Sequence, residues 1–489
     1  MKQSISQILS QCTTKHTLYG ENAFVPNGLA LSSREVEDGF VFFAVKGTQV
    51  DGNNFIQQAI ENGAKCIVSE NDNIESKNVI WIQCKEVAEL MGEMASAFYG
   101  HPSQKLKLVG VTGTNGKSSV VTMLYQLFSS MGQTTGLIST IGYVVNKTHY
   151  YSTHTTPNSI RINELLDKMV RNGCTYCFME VSSIAVHQSR VHGIRFEGAV
   201  FTNLTHDHLD YHGTFSEYIR CKKLWFDNLS DEAFALVNID DKNGKVMVQN
   251  TKASVYSYSL QKVADFKSAI LETDLAGTLL KIEDKEVWVR VVGEFNAYNL
   301  TAVYGVAFLL GFAAEEIITK MSLVAGAKGR FERIAGPGKR TAIVDYAHTP
   351  DALENVLQTI QKIRTRNETL LCVFGCGGNR DKAKRPIMGK IAASFSDRVI
   401  LTSDNPRDEI PTEIIQEIKQ GIGIQDLKKV LEIEDRKQAI RAAVAFSKPG
   451  DVILIAGKGH ENYQEIKGIK IDFDDIHVVS EAFKELETN

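Results

Sequence analysis

The chain has 489 residues, a formal charge of −4 at pH 7 and a hydrophobic fraction of 43%, which is ordinary for globular protein and enough for about three domains. No apolar run approaches the roughly 20 residues of a membrane span, the N-terminal MKQSISQILSQC lacks a signal-peptide core, and without a long basic run nothing suggests nucleic acid as the main partner. Among the eight cysteines only Cys174 and Cys177 form a C-x-x-C pair; with no second pair nearby, a buried reduced pair is preferred to zinc or redox chemistry, and a cytoplasmic location is expected.

Residues 1–103 read as a small α/β domain. Leu29 to Val45 holds two apolar segments, LALSSR and FVFFAVKG, around a polar turn, and FIQQAIENGAKCIVSE reads as helix, glycine stop and strand. Only Ser33 with Arg34, and the loop 47–52, suggest a ligand here, and on their own turn chemistry is the preferred reading. The polar stretch Gly100–His101–Pro102–Ser103–Gln104 is the expected linker.

The second domain, 104–334, opens on LKLVGVTGTNGKSSVVTMLYQLF. Leu106 to Val111 is a β-branched apolar run and reads as a buried strand. Thr112 to Lys117 is a glycine-rich turn, and Ser118 opens a segment with helical spacing of Val121, Leu124 and Leu127. Strand, glycine loop, lysine and hydroxyl at a helix start make a phosphate cradle, in which loop N–H groups and the helix dipole face the anion. Val111 stands where the strict motif has its first glycine, so ATPases, GTPases, kinases and ligases all remain open at this point.

Further groups in this domain could serve that loop. Glu180 ends the apolar run CFMEV, where a buried carboxylate is costly without a partner, so a magnesium-holding role is preferred to a satisfied core acid. The stretch Thr205 to His212 carries three histidines and two aspartates, yet no second cluster completes a zinc site; one histidine in a magnesium shell fits better, His208 ahead of His206. In EYIRCKKLWF, composition alone makes Lys222 and Lys223 a solvated helix face. Asn296 is a cap or a ligand, and Arg330, just before the glycine-rich linker 335–338, closes on a phosphate or forms a hinge salt bridge.

In the third domain, 335–489, four apolar strands each end in a polar or glycine loop: Asp345–Pro350, Gly375–Asp381, Ser403–Arg407 and Gly457–Glu461. Strands alternating with helices imply a parallel sheet whose carboxyl ends bind ligand. The arginines, acids, asparagine and lysine gathered there suit a zwitterion carrying carboxylates and ammonium groups.

VTGTNGKS (111–118), EVSS (180–183), TNLTHDH (202–208), Asn296, Arg330, DYAHTP (345–350) and GKGHE (457–461), in this order and spacing, resemble the Mur ligases, the ATP-dependent amino-acid ligases of bacterial peptidoglycan synthesis. LSSR (31–34), TTP (155–157), QSR (188–190) and DHLDYHG (207–213) bring the resemblance closest to the members that act at the third step. One departure is Ile184, where the family often has histidine after the paired serines.

The resemblance implies α/β architecture in three domains: an N-terminal UDP-binding domain, a central P-loop ATPase-like parallel-sheet domain and a C-terminal Rossmann-like domain. It implies ATP on Gly113, Thr114, Asn115, Gly116, Lys117, Ser118 and Ser119, with Asn296, Arg330 and Asp345. Two magnesium ions would be held by Ser118, Glu180, His208 and Lys222, the lysine as a carbamate formed with carbon dioxide, which overturns its reading as a solvated face. Lys117, Glu180, His208 and Lys222 form the implied catalytic set.

The UDP-sugar peptide would contact Leu31, Ser33, Thr48, Gln49, Thr155, Thr156, Ser182, Gln188 and Arg190. The amino acid would sit on Arg380, Asp404, Asn405, Pro406, Arg407, Gly457 and Glu461. DNPR (404–407) resembles the family's signature for meso-diaminopimelate, and lysine-adding relatives lack its arginine; chemically, an arginine can bind the extra carboxylate bidentately. The expected activity is ATP-dependent addition of meso-diaminopimelate to UDP-muramoyl dipeptide through an acyl phosphate, by a cytoplasmic monomer. The alternatives are L-lysine at the same step, a folylpolyglutamate-synthetase-like ligase, a P-loop ATPase switch and an inactive binding module.

Overall fold

The computed structural model describes residues 3–488 apart from 21, 22, 48, 49, 73–78, 153, 206, 208 and 366. Three main sheets follow one another along the chain. In the first, the spatial order is His16–Tyr19, Ile80–Cys84, Ala64–Ser69, Phe40–Phe43, Gly28–Ala30, antiparallel only at the first pair. The two apolar segments expected between Leu29 and Val45 therefore lie parallel, joined through a turn at Ser33–Glu35 rather than as a hairpin. One face buries Val41, Phe43 and Val68 under the helix Val87–Phe98, and the other buries Phe42 and Trp81 under Ile56–Glu61.

The second sheet has 11 strands, parallel in its centre and antiparallel at both edges. The antiparallel additions at 143–150 and 266–289 are short or alternating strands, the pattern of sheets with one solvated face, which a reading as a purely parallel domain passes over. At the centre lies Lys107–Thr112, between Tyr176–Glu180 and Gly198–Phe201. Their register sets Glu180 opposite Val111 and Phe201 opposite Thr112. The phosphate loop, Glu180 and the segment after Phe201 thus leave the sheet at one edge, where ligands of such sheets bind. Val120, Val121, Leu124 and Leu127 of the helix Lys117–Ser130 are fully buried beside Ala302, Val303 and Val306 of the helix Glu294–Leu309.

The third sheet runs Glu332–Ala335, Thr341–Asp345, Val452–Ala456, Leu370–Phe374, Arg398–Leu401, Val430–Glu432, antiparallel only at its first strand. The four strands read from the sequence are its four central ones. A separate hairpin, Tyr463–Ile466 with Ile469–Asp472, lies beyond them. All eight cysteines are free thiols, Cys174 and Cys177 among them. Among the described residues, no helix is long and apolar enough to cross a membrane.

Candidate active site

The turn after Lys107–Thr112 needs backbone that only glycine adopts freely: Gly113 has φ +150° and Gly116, at the helix start, φ +88°. A side chain at Gly116 would strike Asn299, so this turn also requires close packing. The loop is tied down by Asn203, whose carbonyl accepts from Thr114 N at 2.8 Å and whose Oδ1 accepts from Asn115 N at 3.0 Å. Lys117 Nζ donates to the carbonyls of Gly113 and Thr114 at 2.9 and 2.8 Å. Burial lowers its pKa, with Arg330 acting in the same sense and Glu180 and Asp207 opposing. Ser118 and Ser119 are buried at the positive end of the helix dipole.

Across the cleft, the Glu180 carboxylate is buried and accepts from Thr140, through its N–H at 2.8 Å and its hydroxyl at 3.3 Å. Thr156 Oγ1 donates to the Glu180 carbonyl at 2.7 Å, and Thr140 Oγ1 lies 3.0 Å from Thr155 Oγ1. Arg190 bridges Thr156 O at 2.7 Å and Gln188 Oε1 at 2.7 Å. Ser182 caps the helix Ser183–His187. Thr155, Thr156, Ser182 and Arg190 line the same cleft as Thr114–Ser118, a cavity of about 270 Å³. Gln188 joins it through Arg190.

Lys222 is the departure from composition. It lies on the inner face of the helix Phe215–Asp227 and is only 1% exposed. Its Nζ donates to Gly113 O at 3.0 Å and sits 4.7 Å from the Tyr218 ring. Burial drives its pKa well below the usual lysine value, and Lys117 adds to the shift. Lys223, one residue on, leaves the cleft face and pairs with Asp227 at 2.6 Å, its side chain 15% exposed. Helical geometry thus separates two lysines that composition treats alike.

His208, and with it the proposed metal histidine, lies outside the described residues, as do Thr48 and Gln49. Among the described residues no three His, Cys, Asp or Glu side chains cluster to hold a metal. The Ser118 hydroxyl and the buried Glu180 carboxylate are nonetheless both cleft-lining oxygen donors, the chemistry a hard cation takes, and Glu180 has acceptor capacity beyond its two bonds to Thr140.

The third sheet supplies the opposite wall. Arg330 Nη2 donates to Ser118 Oγ at 3.3 Å, and its guanidinium lies 4.5 Å from the Tyr346 ring centroid. Tyr346 also packs against His348 and His460, with centroids 4.6 and 4.9 Å away. Burial pushes His348 down to about 4 and His460 down to about 3, so both rings are neutral near pH 7. Asp345 is buried behind them, accepts from Phe331 N at 2.6 Å, and is pushed up to about 6 by burial against the opposing Arg330.

Asn296 is not a cap: Gly293 holds that position, and the Asn296 amide donates to Val292 O at 2.9 Å and accepts from Asn299 at 3.1 Å. Among the described residues it meets the loop through Asn299, which lies against Gly116. Thr140, Tyr346, His348 and Asn299 escape a reading by motif, although Tyr346 and His348 stand inside DYAHTP.

A second polar centre forms where Ser403–Arg407 meets Gly457–Glu461. Lys458 is fully buried and contacts Asn405 Oδ1 at 2.9 Å, Glu461 Oε2 at 3.2 Å and Asp404 Oδ1 at 3.5 Å. Asn405 also donates to Glu461 at 2.8 Å. Burial raises the Glu461 pKa, Asp404 adds to it, and Lys458 opposes. Gly457 abuts Asp404, leaving no room for a side chain. Arg407 donates to Gly378 O at 2.8 Å, Pro406 packs its carbonyl on Gly378, and Arg380 is exposed on the neighbouring loop. Leu31 and Ser33 stay in the first domain, where Ser33 Oγ donates to Gln58 at 2.8 Å; neither lines the cleft.

Three stretches of the chain match the family descriptions "Mur ligase family, catalytic domain" (27–99), "Mur ligase middle domain" (111–307) and "Mur ligase, glutamate ligase domain" (329–459). The chain belongs to the Mur ligase family. It is 52% identical over 460 residues, 94% of each chain, to the UDP-N-acetylmuramoyl-L-alanyl-D-glutamate–2,6-diaminopimelate ligase of Cytophaga hutchinsonii. It is 50% identical over 471 residues to the ligase of the same name from Phocaeicola vulgatus, covering 96% of this chain and 97% of that one. A solved structure of a ligase so named superposes with a TM-score of 0.70 at 33% identity, covering all of both chains. In this Mur ligase the matched middle region carries the phosphate loop, Glu180 and Lys222, and the matched C-terminal region carries Arg330, Asp345 and Arg407.

Proposed function

We propose that this Mur ligase joins meso-2,6-diaminopimelate to UDP-N-acetylmuramoyl-L-alanyl-D-glutamate, cleaving ATP to ADP and phosphate, in peptidoglycan precursor synthesis. The observation that carries this reading is the shared name of relatives about half identical over nearly the whole chain, taken with an arginine-bearing DNPR loop at the amino-acid end. Residues 1–103 hold the UDP end, 104–334 the nucleotide and 335–489 the amino acid. The enzyme acts in the cytoplasm as a monomer.

Lys117 exchanges the carbonyls of Gly113 and Thr114 for the outer phosphates, and the helix N-terminus and Arg330 share the phosphate charge. Asp345, through Phe331 N–H, holds the segment that carries Arg330 against the cleft. The phosphoryl group passes to one of the two free carboxylates of the D-glutamyl residue, which Arg190, Thr155 and Thr156 orient. The resulting acyl phosphate is attacked by an amine of diaminopimelate, and phosphate leaves as the amide forms. Positioning and fixed charge supply most of the rate, with water kept out as the cleft closes.

Two magnesium ions on Ser118, Glu180, His208 and the Lys222 carbamate would supply neutralising charge at the transferring phosphoryl group. Carbamate formation needs a neutral amine, which adds to carbon dioxide and loses a proton to solvent. The buried Lys222, held against Gly113 O, supports this.

The test is phosphate release with ATP, magnesium and the UDP-muramoyl dipeptide, adding meso-diaminopimelate or L-lysine separately. Release with diaminopimelate alone is expected. Preference for lysine would keep the ligase and overturn the amino-acid assignment, and release with neither would overturn the acceptor as well.

A further inference from the structure

The loop that carries Arg407 does not hold its shape by itself. The hairpin Tyr463–Ile466/Ile469–Asp472 grips it along its length. Gln464 Nε2 donates to Asp404 O at 2.7 Å, and Glu465 N donates to Asn405 Oδ1 at 3.0 Å. Arg407 N donates to Glu465 O at 3.1 Å, and Lys467 N donates to Arg407 O at 2.8 Å. Arg407 has φ +52°, a left-handed conformation that a residue with a side chain rarely adopts. The hairpin bonds on both its N–H and its carbonyl hold it there.

The side chain is held as well. Glu465 Oε2 lies 3.3 Å from Arg407 Nε, with both side chains largely withdrawn from solvent at 24% and 21% exposure. Nη1 donates to Gly378 O at 2.8 Å. A guanidinium has five N–H donors in one plane. The Glu465 carboxylate paired beside Nε and the Nη1 hydrogen bond to Gly378 O restrict the rotation of that plane from two sides. The other Nη1 donor and those of Nη2 remain as a fork suited to one carboxylate.

We propose that Glu465 is a positioning residue for amino-acid selection: it orients Arg407 so that this fork meets the second carboxylate of a diamino diacid. The proposal rests on the diaminopimelate reading given above. Substrate binding then reads the hairpin as much as the DNPR loop, because without Glu465 the guanidinium rotates about its long side chain and must be ordered by the ligand at an entropic cost.

The experiment compares the full-length wild type with Glu465→Gln and Glu465→Ala, varying meso-diaminopimelate, ATP and L-lysine in turn, with a thermal melt of each protein. For Glu465→Ala, KM for diaminopimelate should rise about tenfold, with a smaller rise in Glu465→Gln, which keeps an oxygen acceptor. Saturated turnover, KM for ATP and any turnover with lysine should stay within about twofold. An unchanged KM for diaminopimelate in both variants would overturn the proposal. So would a parallel rise in KM for ATP with a lowered melting point, the mark of a merely structural pair. If the wild type itself fails to use diaminopimelate, the functional reading falls and this inference falls with it; if it does, only the Glu465 variants decide.

Discussion

Asn115, at the tip of the phosphate loop, donates through Nδ2 to Asp351 Oδ2 at 2.8 Å. The same oxygen accepts from Thr205 Oγ1 at 3.3 Å. Asp351 stands in the first turn of the helix Pro350–Ile363, so one carboxylate fastens the nucleotide loop of the second sheet to the C-terminal part of the chain. Hydrogen bonds to a charged group are worth roughly 1.5–3 kcal/mol. Asp351→Ala should therefore lower kcat about tenfold by loosening closure, and small-angle scattering should give a larger radius of gyration. The same scattering curve and rate as the wild type would show that the contact is incidental.

The proposed roles put Lys117 on the nucleotide and Arg407 on the amino acid, and their variants should separate accordingly. Lys117→Ala should abolish acyl-phosphate formation, seen as loss of phosphate release by about a thousandfold or more. Arg407→Ala should raise KM for diaminopimelate by about a hundredfold while KM for ATP is kept, since a bidentate arginine–carboxylate pair is lost. Near-normal turnover of the first, or unchanged amino-acid kinetics of the second, would remove the corresponding role.

The buried Lys222 amine, without an ion-pair partner among the described residues, leads to a spectroscopic test. Labelled with 13C-bicarbonate near pH 8, the wild type should show a carbamate carbonyl resonance. Lys222→Arg, which cannot form one, should lack that resonance and lose activity about a hundredfold or more. A wild-type spectrum identical to that of the arginine variant would mean that the amine stays free.

Asp345 gives the fold a pH dependence of opposite sign to an ordinary paired acid. Its pKa rises from 3.8 to about 6 on folding, because burial outweighs Arg330 and the N–H groups of Phe331 and Ala347. The folded chain thus binds a proton that the unfolded chain has released, and stability falls as pH rises through that window. Asp345→Asn keeps an acceptor for Phe331 N–H without the charge. In nucleotide-free protein it should be more stable than the wild type by up to about 3 kcal/mol above pH 6, with the gap closing toward pH 4. Melting curves across this range check it, and a gap independent of pH would count against the buried charge.

Much of the site could be read along the chain because its cues are local. Glycine spacing and a β-branched run mark the strand, turn and helix of 106–128, and apolar runs before polar loops mark the four central strands of the third sheet. The resemblance to the Mur ligases rests on the same short motifs, and the family matches span the regions that carry them. Asn296, by contrast, carries a local signal for a cap and turns out to be bonded inside its helix and to Asn299, because Gly293 starts the helix three residues earlier.

The sequence by itself determined which segments become strands, where the phosphate loop lies and which family the chain resembles, since backbone preference and hydrophobic period act over a few residues. Only the tertiary structure decided that Lys222 is buried on Gly113, that Asp351 reaches Asn115, and that Glu465 holds Arg407. Each of those pairs joins distant parts of the chain. Charge, burial and rotamer are properties of the partner as much as of the residue, and partners are set by how sheets and loops pack.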